Sequence, residues 1–375
     1  MRVGLDLLYL VPGETGGRET YARELVPALR ERSPELELVA FVNRDAGARL
    51  AAELGDDIRA VVVPVSARSR AQWALGELAL VAVAAARARV EVLHSMANFA
   101  PPWGRFARVV TIHDLQYRAQ PQLLSWPMRA GTSALVSLAA RTADRVIAVS
   151  GAGRDEIVAG LGVGANRIDV VPNGVRPAPP APASAAALAS ARQRYRLGER
   201  QTALTVATNL PHKNLAALLD AIALITPSQR PLLVMAGHNT DDGALAAHAR
   251  ALGVSDDVRL LGALTTAELD SLYALADCLV LPTLHEGFGL PVLEAMARSL
   301  PVACSDIPAL REVAGDAALY FDPRAPAQIA ARVQEILDPA VATRLLALGL
   351  EQAARFSWAA AAEGTLASYR RVLAP

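Results

Sequence analysis

Cys278-Leu279-Val280-Leu281-Pro282-Thr283-Leu284-His285-Glu286-Gly287-Phe288-Gly289-Leu290-Pro291-Val292-Leu293-Glu294 holds the chain's architecture in miniature. The apolar run that ends at Leu281 reads as a strand buried on both faces. A glycine-bearing loop follows, and Pro291 sits where it suits the first turn of a helix. Strand, loop and helix in that order are half of a βαβ unit. The same alternation runs through the chain and predicts an α/β protein with parallel sheets covered on both faces. Strands are predicted at 2–8, 37–42, 59–63, 91–94, 109–113, 145–150 and 168–171 in the first half. In the second half they fall at 202–207, 232–236, 258–261, 278–281, 302–304 and 319–321. A helix over 18–32 follows the Gly16-Gly17 turn, with Tyr21, Leu25, Ala28 and Leu29 on one face.

Between the two series stands Arg176-Pro177-Ala178-Pro179-Pro180-Ala181-Pro182, whose prolines fit neither a sheet interior nor the middle of a helix. The predicted organisation is an N-terminal domain over 1–175, a linker region over 176–194, a second domain over 195–355, and a terminal helix over 356–375 packing back on the first domain. Each domain reads as a Rossmann-like doubly wound sheet. Ligands of such sheets bind beyond the carboxyl ends of the strands, so the loops after strands are where chemistry is expected.

Composition narrows the function. The chain has 375 residues, 53% apolar and 20% charged, with 37 basic and 37 acidic residues. The zero balance argues against a protein built to hold a nucleic-acid backbone. Cys278 and Cys304 lie in apolar runs and read as buried thiols in a reducing compartment. The start, Met1-Arg2-Val3-Gly4-Leu5-Asp6-Leu7, has an acidic residue in its apolar stretch, unlike a secretory signal, which predicts a cytoplasmic protein. The greasiest segment, 78–86, is far short of the ~20 residues of a membrane span. Trp73, Arg68, Arg70, Trp126 and Arg129 fall in first-half helices and are candidates for peripheral contact with a membrane face or a glycan. Of the 37 basic residues, one is a lysine, Lys213.

In the quoted stretch, Glu286 and Glu294 are separated by seven residues. The glycines between them let backbone N–H groups approach a ligand, and the helix N-terminus attracts an anion. The two oxygens of Glu294 match a vicinal diol such as a ribose, and Glu286, in the loop, can grip a second polyol. No histidine, cysteine and carboxylate set has zinc spacing, and no Gly-x-Ser-x-Gly elbow occurs.

This string resembles the E-x7-E motif of the retaining glycosyltransferase family GT4, whose members have the two-domain GT-B fold. Other segments resemble that family in its order: Thr111-Ile112-His113-Asp114-Leu115, Pro172-Asn173-Gly174-Val175, Asn209-Leu210-Pro211-His212-Lys213-Asn214-Leu215 and Leu310-Arg311-Glu312-Val313-Ala314-Gly315-Asp316. The resemblance implies that Glu286 holds donor-sugar hydroxyls and that Gly287, Phe288, Gly289 and Leu290 present backbone to sugar and phosphate. It further implies that Glu294 binds ribose and Lys213 neutralises the diphosphate. In the first domain it implies Gly16 and Gly17 as donor contacts and His113 as the group that touches and polarises the donor sugar. Arg18, Asp114 and Asn209 are further candidates. A fixed ammonium and helix N-termini would stabilise the leaving diphosphate without metal. No Asp-x-Asp occurs, so no metal or other cofactor is expected beyond the nucleotide-sugar donor substrate.

Two positions depart from the family pattern. His212 stands where an arginine commonly precedes the lysine, and Arg18 is the candidate to supply that charge. Ser299 replaces a glycine before Pro301-Val302. The activity implied is retaining transfer of a hexose, with mannose from GDP-mannose as the best match, to a glycan, lipid-linked or small-molecule acceptor. The alternatives are a UDP-sugar-dependent transferase, a nucleotide-sugar epimerase of the same architecture, and a homologue that only binds.

Overall fold

The computed structural model describes residues 1–55, 58–121, 125–178 and 184–374. Residues 179–182 of the proline-rich boundary lie outside it, as does Pro375. The chain forms two compact units, one of Met1–Gly174 with Phe356–Pro375 and the other of Val175–Arg355.

The first unit holds a parallel seven-stranded sheet in the order β3-β2-β1-β4-β5-β6-β7. Its strands are β1 Arg2–Leu7, β2 Glu37–Asn43, β3 Arg59–Val63, β4 Val92–Ser95, β5 Ala107–Ile112, β6 Arg145–Ala148 and β7 Ile168–Val170. The second unit holds a parallel six-stranded sheet, β10-β9-β8-β11-β12-β13. There the strands are β8 Thr202–Val206, β9 Leu232–Ala236, β10 Val258–Leu260, β11 Cys278–Leu281, β12 Val302–Ser305 and β13 Ala318–Phe321. Each predicted strand is present, three of them (59–63, 232–236 and 278–281) with both ends as read and the others with ends moved by one or two residues. They were legible because helices cover both faces, so even the side chains of β11, Cys278 to Leu281, are all buried. In both sheets the order reverses beside the first strand formed, between β1 and β4 and between β8 and β11. Those are the places where a doubly wound sheet opens a crevice for ligand.

The C-terminal helix, Trp358–Leu373, belongs to the first unit. Asp169 on β7 ties it down: Arg145 donates to the carboxylate at 2.9 Å, Ser368 at 2.7 Å, and Arg371 pairs with it as well. Burial acts to raise the pKa of Asp169, but these hydrogen bonds and guanidinium charges outweigh it and hold the carboxyl below its usual range. Gly174 lies so close to this helix that a Cβ there would be 2.1 Å from the Trp358 nitrogen, so only glycine fits.

One segment differs from the sequence reading. The end of the stretch expected to be linker is a helix, Ala185–Arg194, within the second unit. Its run of alanines forms a helix once the prolines end, and the Ser184 hydroxyl caps it by accepting from Ala187 N–H at 3.2 Å. Segment 78–86 is part of a helical run containing a π-turn, Gly76–Leu80, between Arg70–Leu75 and Val81–Ala88. Among the described residues no helix is long and apolar enough to cross a membrane. Trp73 is occupied in packing, edge-on to Phe99 at 4.5 Å between ring centroids, whereas Trp126 is 71% exposed.

The π-turn places Glu77 beside Asp6 of β1, both buried. Burial, then the Asp6 charge and the hydrogen bond to it, push Glu77 well above the ordinary carboxyl range. Asp6 is also engaged by Ser95 O–H at 2.9 Å and Leu8 N–H at 3.2 Å. A carboxyl whose pKa is higher folded than unfolded contributes stability that is whole below the unfolded value of about 4.3 and is lost as pH rises through the folded one. Glu77→Gln keeps an amide donor toward Asp6 and should flatten this alkaline loss. Thermal midpoints of the two proteins from pH 5 to 9 check it: parallel curves would show that the pair shares no proton.

Ser299 ends the Leu290–Ala297 helix with φ of 56°, in the left-handed region. Its N–H donates to Met296 O at 3.1 Å and Leu300 N–H to Ala295 O at 2.9 Å, the two bonds of a Schellman ending whose left-handed residue is usually glycine. The turn is kept despite the side chain. Left-handed strain costs about 1–2 kcal/mol, and added chain freedom in the unfolded state returns about 0.4–1 kcal/mol of that. Ser299→Gly should therefore stabilise the protein by about 0.5–1 kcal/mol, read as a raised denaturant midpoint at unchanged slope.

Candidate functional site

In the second unit, two loops at the sheet's reversal point are fastened together through main chain. After β8 the chain makes a tight turn at Pro211–Lys213 and enters the helix Leu215–Leu224 through Asn214, at φ 57°. The His212 carbonyl oxygen accepts from Leu284 N–H at 2.7 Å, and the Thr283 hydroxyl lies 3.1 Å from it. The Asn214 amide donates to Pro282 O at 3.0 Å and Pro323 O at 2.7 Å, joining the loops after β8, β11 and β13. Lys213 Nζ thereby reaches Glu286 Oε1 at 2.6 Å, with both side chains mostly but not wholly covered.

The chain turns from Glu286 into the Leu290–Ala297 helix at Gly289, whose φ is 105°. A Cβ there would come within 2.4 Å of Leu310 Cδ2, so both conformation and space require glycine. Phe288 is buried beneath the turn, Leu290 is the first helical residue and Pro291 stands in the first turn. Glu294, one turn in, accepts from the Tyr273 hydroxyl at 2.9 Å. Arg298 stacks over the Tyr273 ring at 5.1 Å and grips Asp270 with two N–H groups at 2.6 and 2.9 Å. Burial raises the Glu294 pKa, against the Tyr273 hydrogen bond and the Arg298 and Arg176 charges, which lower it.

Of the residues singled out in this unit, the structure brings Lys213, Glu286, Gly287, Phe288, Gly289, Leu290 and Glu294 onto one loop pair and the helix after it. His212 is buried and contributes its carbonyl to the fastening. Asn209 turns away, donating to Asp242 Oδ2 at 3.0 Å. Asn214, Tyr273 and Thr283 were not singled out, because the contacts that tie them to Pro282, Pro323, Glu294 and His212 span 21 to 109 positions and leave no local pattern.

In the first unit, Gly16 takes φ 60° and ψ −136°, which suits glycine alone, and Gly17 begins the first helix, Gly17–Arg32. The preceding loop is closed by Glu19, which accepts from Gly13 N–H at 2.8 Å. Arg18 accepts the Tyr9 hydroxyl on its carbonyl at 3.1 Å and lays its guanidinium 5.9 Å from that ring's centroid. His113 follows β5 and is buried, its Nε2 2.8 Å from Met96 O. A carbonyl only accepts, so Nε2 carries the proton and Nδ1 is left as the acceptor. Burial pushes His113 down to about 4, with the Met96 bond and Asp114 opposing and Arg18 reinforcing, so the ring is neutral near pH 7. Asn98 clamps this corner, accepting from His113 N–H at 2.8 Å and donating to Asp114 O at 3.2 Å. The Asp114 carboxylate accepts Gln116 N–H at 3.1 Å, the turn-capping role of an Asx residue. Among the described residues no group of three or more His, Cys, Asp or Glu is arranged to hold a metal ion.

Comparison with known proteins places each unit. The model of Glycosyltransferase Family 4 matches residues 15–178, and that of Glycosyl transferases group 1 matches residues 190–347. O-antigen chain mannosyltransferase B of Escherichia coli is 36% identical over 182 residues, 48% of this chain and 48% of that protein. The chain spans about half the length of the curated relatives it matches. Among solved structures, a sucrose-phosphate synthase from Thermosynechococcus elongatus superposes with a TM-score of 0.80 at 20% identity, over 100% of this chain and 99% of that one. HepE of Anabaena, in complex with UDP and glucose, gives a TM-score of 0.79 at 19% identity, over 99% of this chain and 100% of that one. With one glycosyltransferase family model on each sheet, in this order along the chain, the chain belongs to glycosyltransferase family 4, and its whole-chain likeness to these solved structures gives it the GT-B fold.

Proposed function

We propose that the protein is a retaining glycosyltransferase that moves a hexose, mannose from GDP-mannose in the favoured reading, onto an acceptor hydroxyl. The observation that carries this is the contact of Lys213 Nζ with Glu286 Oε1 at 2.6 Å, beside a glycine-led helix N-terminus. The two groups satisfy each other in the absence of donor. An arriving diphosphate offers Lys213 a stronger anion and releases Glu286 to accept hydrogen bonds from the hydroxyls of the transferred sugar. Negative charge growing on the leaving diphosphate is met by the ammonium and by N–H groups of the turn at Phe288 and Gly289. This scheme needs no metal. Glu294, held by Tyr273 at one oxygen, would offer the other to the ribose diol.

Neutral His113 offers Nδ1 as acceptor to a sugar hydroxyl, consistent with a role in orienting the donor. Retention follows if the acceptor attacks from the face of the leaving group, with a phosphate oxygen taking its proton. The mannosyltransferase relative at 36% identity supports mannose as the sugar. A panel of GDP-, UDP-, dTDP- and ADP-sugars in a thermal-shift assay tests the donor, since a bound ligand raises the midpoint by mass action. NDP release that depends on an acceptor separates transfer from epimerisation and from binding alone. A membrane-face or lipid-linked acceptor is part of the same proposal and is tested by activity with vesicle-borne acceptor.

Glu286→Gln should act mainly on kcat, because it removes a contact to the reacting sugar. Glu294→Ala should act mainly on donor KM through the ribose, and Tyr273→Phe more mildly in the same direction. Losses on the order of 1–3 kcal/mol suit a charged hydrogen bond. Equal effects on both parameters in both glutamate variants would count against the division of roles.

Lys213 is the sole side-chain amine. Acetylating the whole protein should abolish most transfer, whereas reductive methylation, which keeps the charge, should do less harm. Bound NDP should protect the amine. Full activity in protein shown by mass to be acetylated at Lys213 would refute the phosphate role.

A further inference from the structure

His113 has a neighbour that the donor contact alone does not require. The Tyr21 ring stands edge-on to its imidazole, 4.8 Å between centroids at 87°. That ring is held from two directions. Trp358, at the start of the C-terminal helix, packs on it at 6.1 Å, and its hydroxyl lies 3.0 Å from Thr111 Oγ1. Thr111 Oγ1 is in turn 2.7 Å from His94 Nε2, and His94 Nδ1 is 2.6 Å from the hydroxyl of Tyr369, near the end of the same helix. Tyr21, His94, Thr111 and Tyr369 are all buried. Burial and the nearby His113 push His94 down to about 3, so it stays neutral and accepts at one nitrogen while donating at the other. Every hydroxyl along the line has a partner, and a buried chain satisfied throughout rigidifies its surroundings.

We propose that the buried line Tyr369–His94–Thr111–Tyr21 is a positioning element for His113, through which the C-terminal helix fixes the aromatic wall that keeps the imidazole in its Nε2–H form with Nδ1 presented to the donor. The role of Nδ1 rests on the function proposed above, whereas the fixing of the ring does not. Tyr21, His94 and Thr111 come from the first helix, β4 and β5, and Tyr369 from a helix more than 250 positions downstream. The terminal segment thus reaches the site without touching substrate. Geometry of this kind governs rate, since small misplacement of an oriented group is costly.

The test reads the imidazole itself. Long-range proton–nitrogen correlation spectra of histidine-labelled protein, with no nucleotide sugar present, resolve the tautomers of its six histidines, and His113→Gln identifies the signals of interest. The intact protein at pH 7 should show a protonated Nε2 and a bare Nδ1 at His113. Thr111→Val and Tyr369→Phe are close in shape and remove one hydroxyl each. They should give mixed tautomers at His113 and lower kcat on the order of tenfold with donor KM nearly unchanged. Thr111→Ser, which retains the hydroxyl, should restore the single tautomer. His113 signals identical to the parent in both Thr111→Val and Tyr369→Phe, with only the thermal midpoint lowered, would overturn the proposal whatever the rate does. Full transfer activity in His113→Ala would instead refute the donor contact, and the imidazole signals would still decide on the positioning element.

Discussion

One carbonyl oxygen, that of His212, accepts from Leu284 N–H while the Thr283 hydroxyl lies within bonding distance. Loops after neighbouring parallel strands at a point of sheet reversal have no ladder to hold them once the strands end, and their helices diverge. The His212 carbonyl restores a main-chain link across that gap, and Asn214 adds two more through Pro282 and Pro323. Lys213 and Glu286, 73 positions apart in sequence, are fixed opposite each other as a result. Backbone holds the charges, so their placement does not depend on two long side chains finding each other, and little reorganisation is left for the moment a substrate arrives.

The ion pair itself is a modest source of stability. Lys213 is one-fifth exposed at its side chain and Glu286 about one-tenth, and exposed or partly exposed pairs contribute about 0–1 kcal/mol once solvent screening is allowed for. Weakness is what an exchangeable pair needs. A contact worth several kcal/mol would compete with the donor, and one absent altogether would leave a half-buried ammonium and carboxylate each without a partner. The first unit follows another rule, in which His113 is set by neutral contacts: a carbonyl, an amide clamp and an aromatic edge.

What the sequence made legible follows from the range of the interactions involved. Parallel strands buried on both faces leave unbroken apolar runs, so Cys278–Leu281 or Leu232–Ala236 could be read almost to the residue. Glycines at positive φ at the entrance of a helix, as at Gly289 and Gly16, also leave a local mark. The single lysine stood out by rarity. Hidden were contacts made between distant segments: Tyr273 on Glu294, Asn214 on two prolyl carbonyls, and Tyr369 on His94. The π-turn at Gly76–Leu80 was hidden for a different reason, since one extra residue in a helical turn changes no periodicity over so short a run. Ser299 shows the converse case, a conformation set by the helix ending with a residue that does not advertise it.

Lys213 also makes the chain its own reporter of local opening. A protease that cuts only after lysine finds a single bond to hydrolyse, Lys213–Asn214. That bond lies in a turn whose next residue grips Pro282 and Pro323, so it cannot be threaded into a protease while those contacts stand. When reclosing outruns cleavage, the cutting rate measures the free energy of releasing this one loop, separate from unfolding of the sheet beneath it. Two fragments, of 213 and 162 residues, would appear from a chain otherwise richly supplied with cleavable cations.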